Sequence, residues 1–129
     1  MQPETELASG VIQLDDEGIL RIRIKEGAEI DLKETELSFE VYRKLGCNKN
    51  NKVLKLVDGR PFFTMDDDAQ KLSAKRSKDF FIASALVNNS LSVRLLYNFF
   101  NVFHKQPVPF KMFPDEEKAL KWLRSFKKK

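Results

Sequence analysis

The sequence predicts an α/β sandwich built on a largely parallel sheet. Two observations lead to this fold class. Short apolar or alternating segments, typical of strands, are interleaved with longer segments whose apolar residues recur every three or four positions, as in helices. In chain order these segments read ββαβαβαβα, which gives five strands and four helices. The composition agrees, because 42% hydrophobic and 33% charged residues are ordinary for a globular chain of 129 residues.

The first two strands form a predicted hairpin within "VIQLDDEGILRIRI", residues 11–24. Residues 15–18, Asp-Asp-Glu-Gly, have the composition of a tight turn. After the turn, Leu20, Ile22 and Ile24 alternate with basic residues. Because alternate strand residues point to opposite sides, the second strand should have one buried face and one charged face.

The first helix is predicted within "AEIDLKETELSFEVYRKLG", residues 28–46. Asp31 and Glu34 have the spacing of a capping box, and Gly46 is a typical helix stop. We expect one face of this helix to be buried, and it carries Leu37, Val41 and Leu45.

The second half of the chain alternates strands and helices. Residues 53–57, "VLKLV", and 80–87, "FFIASALV", are mostly apolar and predict central strands, and a last strand is predicted in "PFKMF". Three helices are predicted, beginning near residues 66, 91 and 115. In the last helix the apolar residues fall at i, i+3, i+4 and i+7, and they are Ala119, Trp122, Leu123 and Phe126.

We therefore expect one domain over residues 11–126, with a flexible N-terminus at 1–10 and a basic tail at 127–129. The acidic start lacks the apolar run of a signal peptide, and no stretch is long and apolar enough to span a bilayer. With one cysteine and one histidine, the chain suits a reducing compartment. These observations predict a cytoplasmic protein without membrane insertion.

The composition also weighs against several functions. Residues 1–40 carry eleven acidic and four basic side chains, a net −7, which leaves +11 on the rest. The basic residues are dispersed and not interleaved with aromatic ones, so nucleic-acid binding is not expected. Cys47 and His104 have no identifiable catalytic partner, and no glycine-rich phosphate loop is present. We predict no enzyme activity, no catalytic residues and no cofactor.

Three segments carry a resemblance to a known family: the strand end "KLVDGR", the strand and helix "ASALVNNSLSVRLLYNFF", and the ending "MFPDEEKALKWL". In this order, over residues 11–126, they resemble the SpoIIAA-like family of STAS domains, small bacterial proteins named for the anti-sigma-factor antagonists. The resemblance implies a mixed sheet with an antiparallel N-terminal edge and a module that binds proteins and is not an enzyme. The implied partner class is a regulatory kinase-like or sigma-pathway protein.

In regulated STAS domains a serine at the start of the helix after the third strand accepts a phosphate. Here that segment is "FFTMDDDAQ", where the aspartate triplet Asp66, Asp67 and Asp68 stands at the expected position. The nearest hydroxyl groups belong to Thr64 and Ser73, which are displaced along the chain. Serine phosphorylation is therefore not the expected switch.

The aspartate triplet itself has three interpretations. It can cap the helix that it begins, because carboxylates are favoured at the positive end of the helix dipole. One carboxylate can also act as a fixed charge at the regulatory position, although phosphate carries more charge. A metal site is disfavoured because consecutive helical residues point about 100° apart, and Asp58 is the one further local ligand. We predict that Asp58, Thr64 and the aspartate triplet form a recognition edge, without a metal.

The helix predicted at 91–103 carries more apolar surface than a helix lying on a sheet needs. Burial against the last helix, a homodimer or partner surface, and a pocket for a ligand are all compatible with this surplus. The residues proposed for such a face are Leu95, Phe99, Val102 and Phe103. As an alternative to protein binding, the chain is a carrier or sensor of a small apolar or anionic ligand held between this helix and the sheet.

Overall fold

The computed structural model describes residues 3–94 and 108–127. Residues 91–94 are the described part of helix α3. The other elements, in chain order, are β1 (Thr5–Glu6), β2 (Gly10–Leu14), β3 (Ile19–Ile24), β4 (Ala28–Ile30), α1 (Leu32–Lys44), β5 (Val53–Asp58), β6 (Phe63–Met65), α2 (Asp67–Ser77), β7 (Phe81–Val87), β8 (Phe110–Phe113) and α4 (Glu116–Arg124).

The main sheet has six strands in the order β1-β2-β3-β5-β7-β8. Strands β3, β5, β7 and β8 run parallel, whereas β1, β2 and β3 form an antiparallel N-terminal edge. The predicted α/β class, the antiparallel edge and the four helices are confirmed. The sheet has one strand more than the predicted five, because Thr5 and Glu6 pair with Ile12 and Val11. This part of the 1–10 segment is thus bonded to the sheet, although the sequence predicts flexibility.

A second, two-stranded sheet joins β4 to β6 in parallel. Residues 28–30, which precede the predicted helix cap Asp31, form β4, a strand that the sequence did not indicate. The helix begins after Asp31, whose carboxylate accepts a hydrogen bond from the Glu34 backbone N–H at 2.8 Å. The Glu34 carboxylate does not close the capping box on Asp31. It accepts hydrogen bonds from the backbone N–H and hydroxyl of Ser9, at 2.9 and 2.7 Å.

The buried face of α1 agrees with the predicted one at Val41, which is in the core, and at Leu45, which packs against it, and differs at Leu37. Phe39 and Tyr42 are buried and make an aromatic cluster with Phe80 and Phe81, in which Tyr42 lies 5.3 Å from Phe81 between ring centroids. Leu37 is 37% exposed and does not belong to the core. The aromatic pairs, with large apolar area, define which side of α1 faces the sheet.

The two faces of the main sheet are covered by different helices. Alternate residues of β5 point to opposite faces, so Val53 packs with the aromatic cluster while Leu54 packs with Leu123 of α4. Ala119 and Leu123 are fully buried, as the spacing of α4 predicts. We call the side covered by α4 the α4 face, and the opposite side, covered by α1 and α2, the α1/α2 face.

The β2–β3 turn is tied to the end of α4. The carboxylate of Glu17 accepts hydrogen bonds from Arg124 and Lys127, the nearest at 2.8 Å, and these partners hold the pKa of Glu17 at about 2. In the described part of the chain, each helix is too short or too polar to cross a bilayer.

Candidate functional site

The aspartate triplet lies where β6 ends and α2 begins. Asp66 is the N-cap of α2, and its carboxylate accepts a hydrogen bond from the backbone N–H of Ala69 at 2.8 Å. Asp67 and Asp68 occupy the first turn and are exposed. The structure therefore supports the capping interpretation for Asp66 and leaves the carboxylates of Asp67 and Asp68 facing solvent.

Asp58, at the end of β5, is engaged by its own neighbour. Both carboxylate oxygens accept hydrogen bonds from the Arg60 guanidinium, at 2.9 and 2.7 Å, and this partner lowers the pKa of Asp58. Within residues 3–94 and 108–127, no three His, Cys, Asp or Glu side chains come together as metal ligands would. Asp58 is thus the acceptor of a bidentate ion pair with arginine, a geometry that occupies both of its oxygens.

Between Asp58 and Asp66 the chain forms an edge that exposes both apolar and polar side chains. Phe62 is 69% exposed, the highest value among the large apolar residues described, and Thr64 is exposed on β6. The loop is fixed at both ends, because Gly59 donates its backbone N–H to Val87 O at 2.9 Å and Phe62 O accepts from the Gly27 N–H at 2.7 Å. The proposed self-association or ligand-facing residues Leu95, Phe99, Val102 and Phe103 lie outside the described residues.

A cavity of about 800 Å³ lies on the α1/α2 face of the main sheet. Its floor is formed by side chains of β3, β5, β7 and β8, and its walls by α1, α2 and the loops that follow β5 and β7. The size falls within the range of small-molecule sites. The apolar side chains of the floor are Ile22, Ile24, Val57, Leu86, Phe110 and Met112.

The buried polar residues are concentrated in this cavity. Four polar or charged residues are buried in the described part of the chain, and all four line it: Thr35, Lys55, Ser77 and Ser84. The hydroxyls of Thr35 and Ser77 are satisfied within their helices, since each donates to a carbonyl four residues earlier. The other two, Lys55 and Ser84, lie on neighbouring strands of the cavity floor.

Lys55 lies in the middle of β5, on the floor of the cavity. Its residue is 9% exposed, and burial lowers the pKa of the ammonium to about 8. Its described partner is the Phe81 ring, 4.6 Å from Nζ to the centroid. Ser84 is directly opposite Lys55 in the parallel pairing of β5 with β7. The two side chains therefore form a compact polar patch surrounded by apolar residues.

The charged residues described in the cavity lining are all basic. Among its described residues the charged ones are Lys55 and Arg60, with no Asp or Glu. Arg60 is neutralised by Asp58, which leaves Lys55 as the cation without an anionic neighbour in this lining.

Sequence reasoning missed this cavity and Lys55. The available signal was the lysine at the centre of "VLKLV", because a charged residue is unusual in a central parallel strand buried on both faces. Cys47, predicted in a polar loop, is fully buried in the aromatic core, and burial raises the pKa of its thiol. A buried, protonated thiol is a poor nucleophile.

Comparisons with known proteins bear on the fold and the family. A family model described as a domain of unknown function, DUF7793, matches residues 12–127. None of the curated proteins matches the chain.

Two solved structures are similar. One is an uncharacterised protein of the DUF3478 family with a SpoIIAA-like fold, from Shewanella loihica PV-4, at 20% identity over 92% of this chain and 97% of that one, with a TM-score of 0.67. The other is a protein of unknown function from Arthrobacter sp. FB24, at 27% identity over 93% and 96% of the chains. Its TM-score of 0.33 is too low to bear on the fold. The first similarity confirms the SpoIIAA-like fold.

Proposed function

Because this chain belongs to the DUF7793 family and has a SpoIIAA-like fold, we propose that it is a regulatory module of STAS type that acts by binding another protein and is not an enzyme. The recognition surface is the edge formed by residues 58–68, at the carboxyl ends of the central strands. This edge of a parallel sheet is where α/β proteins most often bind their ligands.

One observation carries this proposal: an exposed aromatic anchor stands beside exposed carboxylates on a fixed loop. Phe62 is the apolar anchor, and Asp67 and Asp68 supply the polar rim. Protein interfaces commonly combine a central aromatic residue with surrounding polar groups. The edge is already held in place, since Asn88 donates its side-chain N–H to Gly59 O at 3.1 Å and so links the loops after β5 and β7.

The structure of the triplet supports a constitutive surface over a phosphorylation switch. Asp66 belongs to the segment where the resemblance to STAS domains would place the regulated serine, and its carboxylate accepts a hydrogen bond from the helix N-terminus. Asp67 and Asp68 add two permanent negative charges next to it. The partner class that the fold family implies is a regulatory kinase-like or sigma-pathway protein, and a basic patch on that partner would complement these carboxylates.

The proposal is tested by comparing what four immobilised proteins retain from a lysate of the source organism, measured by quantitative mass spectrometry. The four are the wild type, Phe62→Ser, the double variant Asp67→Asn/Asp68→Asn, and the control Glu36→Gln/Glu40→Gln. The control removes the same charge from exposed positions on α1.

We expect at least one protein to be retained by the wild type and by the control, and to be lowered about tenfold by Phe62→Ser, since removing an aromatic anchor commonly weakens an interface by more than 1 kcal/mol. The Asp67→Asn/Asp68→Asn protein should show a smaller loss that disappears at high salt. Identical retention by all four proteins would rule out the 58–68 edge as the recognition surface.

A further inference from the structure

We propose that the cavity on the α1/α2 face binds an amphipathic anion, a carboxylate on an apolar body, with Lys55 as its counter-charge. This site adjoins the 58–68 recognition edge, because Arg60, Phe62 and Met65 of that edge also line the cavity, but its counter-charge Lys55 lies outside the edge on β5 and its occupancy does not require a protein partner. Three features carry the inference: an unneutralised buried cation, a hydroxyl group beside it on the neighbouring strand, and an apolar floor around both.

The charge of Lys55 requires an anion. A buried ammonium is unfavourable unless it is paired, because it has lost its hydration. The Phe81 ring at 4.6 Å attracts the ammonium through its π-face, but a ring carries no net charge to neutralise it. With a pKa of about 8, Lys55 is still mostly protonated at neutral pH.

The described lining of the cavity contains no Asp or Glu. The segment 95–107, which connects the lining residues Val93 and Val108, contains no acidic residue in its sequence either. The anion proposed to pair with Lys55 is therefore a bound ligand.

Ser84 makes the polar patch suited to a carboxylate. Ser84 is buried in the lining of the cavity and stands directly opposite Lys55 on the neighbouring strand, on the same side of the sheet. A carboxylate has two oxygens, so one can accept from the Lys55 ammonium while the other accepts from the Ser84 hydroxyl. Charge-assisted hydrogen bonds of this kind are the stronger ones in proteins.

The surroundings select an apolar body. Ile22, Ile24, Val57, Leu86 and Met112 flank the polar patch on the floor of the cavity. A volume of about 800 Å³ is far larger than a carboxylate group needs. Burying a hydrocarbon chain against these side chains is favourable in proportion to the area removed from water. A small inorganic anion would not make use of this surface.

Calorimetric titration with octanoate, octan-1-ol and acetate tests the proposal. Octan-1-ol has the apolar body without the charge, and acetate has the charge without the body. The proteins compared are the wild type, Lys55→Met, and the control Lys111→Met, which makes the same replacement at an exposed position on β8 outside the cavity. Circular dichroism checks that each variant is folded, and Lys55→Gln replaces Lys55→Met if the latter does not fold.

We expect the wild type and the control to bind octanoate more tightly than either other compound. Lys55→Met should bind octanoate about tenfold more weakly and octan-1-ol unchanged, since a hydrogen bond to a charged group is worth about that factor. Equal octanoate affinity in Lys55→Met and the wild type would overturn the role of Lys55. If acetate bound as tightly as octanoate, the claim that the ligand has an apolar body would be wrong. If the wild type did not bind octanoate, the proposed site would be wrong.

Discussion

The two faces of the main sheet are built on the same strands but packed in opposite ways. On the α4 face, Ala83 and Ala85 of β7 are fully buried beneath Ala119 and Leu123 of α4. On the α1/α2 face, the same strand presents Ser84 and Leu86 to a cavity of about 800 Å³. One face is filled with small and branched apolar side chains, whereas the other combines an open volume with a buried ammonium.

The difference follows from the side chains that separate each helix from the sheet. Alanines on β7 and α4 let the helix approach closely, and close packing is favourable for every atom in the contact. On the other face the aromatic cluster, Phe39, Tyr42, Phe80 and Phe81, is bulky and occupies one part of the layer between helices and sheet. Phe39 and Tyr42 also line the cavity, so the cluster forms one of its walls. We infer that the α4 face supplies stability and the α1/α2 face supplies binding.

The comparison predicts that truncation costs more on the α4 face. Leu123→Ala should lower the free energy of unfolding by about 3–4 kcal/mol, because it opens a void in a fully packed layer. Met112→Ala, also buried but bordering the cavity, should lower it by about 2 kcal/mol or less, because truncating a side chain at an existing cavity costs less than opening a new void in a packed layer. Urea unfolding followed by tryptophan fluorescence measures both values. Equal losses would mean that the two faces are packed alike.

The second prediction concerns the cost of the buried ammonium. Without added ligand, Lys55→Met should raise the free energy of unfolding by about 3 kcal/mol at pH 7, because burial lowers the pKa of Lys55 from 10.5 to about 8. Methionine fills a similar volume without the charge. The exposed control Lys111→Met should stay within about 0.5 kcal/mol of the wild type.

The pH dependence of this gain in the free energy of unfolding shows whether it comes from removing the charge of Lys55 or from the packing of methionine. Below pH 8 Lys55 is protonated in both the folded and the unfolded chain, so the folded protein bears the full cost of the buried charge. Between pH 8 and 10.5 the folded chain loses the proton first, so wild-type stability rises relative to Lys55→Met. Urea unfolding at pH 7, 9 and 10.5 should show the gain shrinking with pH. A gain that is constant over this range would attribute the effect to packing.

Elements governed by local sequence were predictable. The spacing of Ala119 and Leu123 placed α4 on the sheet, and Asp31 marked the start of α1. In both cases the residues that determine the helix lie close together in sequence: an apolar stripe in α4 and a capping side chain in α1. The α/β class followed from the same local patterns taken in order.

Features that depend on distant pairing or on interlayer spacing were not predictable. β4 forms because Ala28 meets Phe63, thirty-five residues away, and neither segment has a strong strand pattern alone. The two-residue edge strand β1 was not predictable for the same reason. Lys55 was visible in the sequence, but its role depends on the cavity and on the absence of Asp and Glu from its described lining, and these are properties of the packed layers.

The smallest expected effect distinguishes capping from recognition within the aspartate triplet. Asp66→Ala should lower the free energy of unfolding by about 1 kcal/mol, because the backbone N–H of Ala69 loses its carboxylate acceptor. Asp66→Asn should be nearly neutral, since asparagine caps as well. Asp67→Ala, one residue further on and exposed, should cost only a few tenths of a kcal/mol, because it loses a favourable contact with the helix dipole and no hydrogen bond.

Urea unfolding of these three variants at pH 7 and low salt tests whether Asp66 caps α2 while Asp67 contributes little to its stability. If Asp67→Ala were as destabilising as Asp66→Ala, the second carboxylate would also be holding α2, and a loss of partner binding in the Asp67→Asn/Asp68→Asn protein could then reflect a frayed helix. With the expected order, α2 keeps its N-terminus when Asp67 and Asp68 are neutralised. Any change in binding then reports on their charge, and the α1/α2 face retains the helix that walls its cavity.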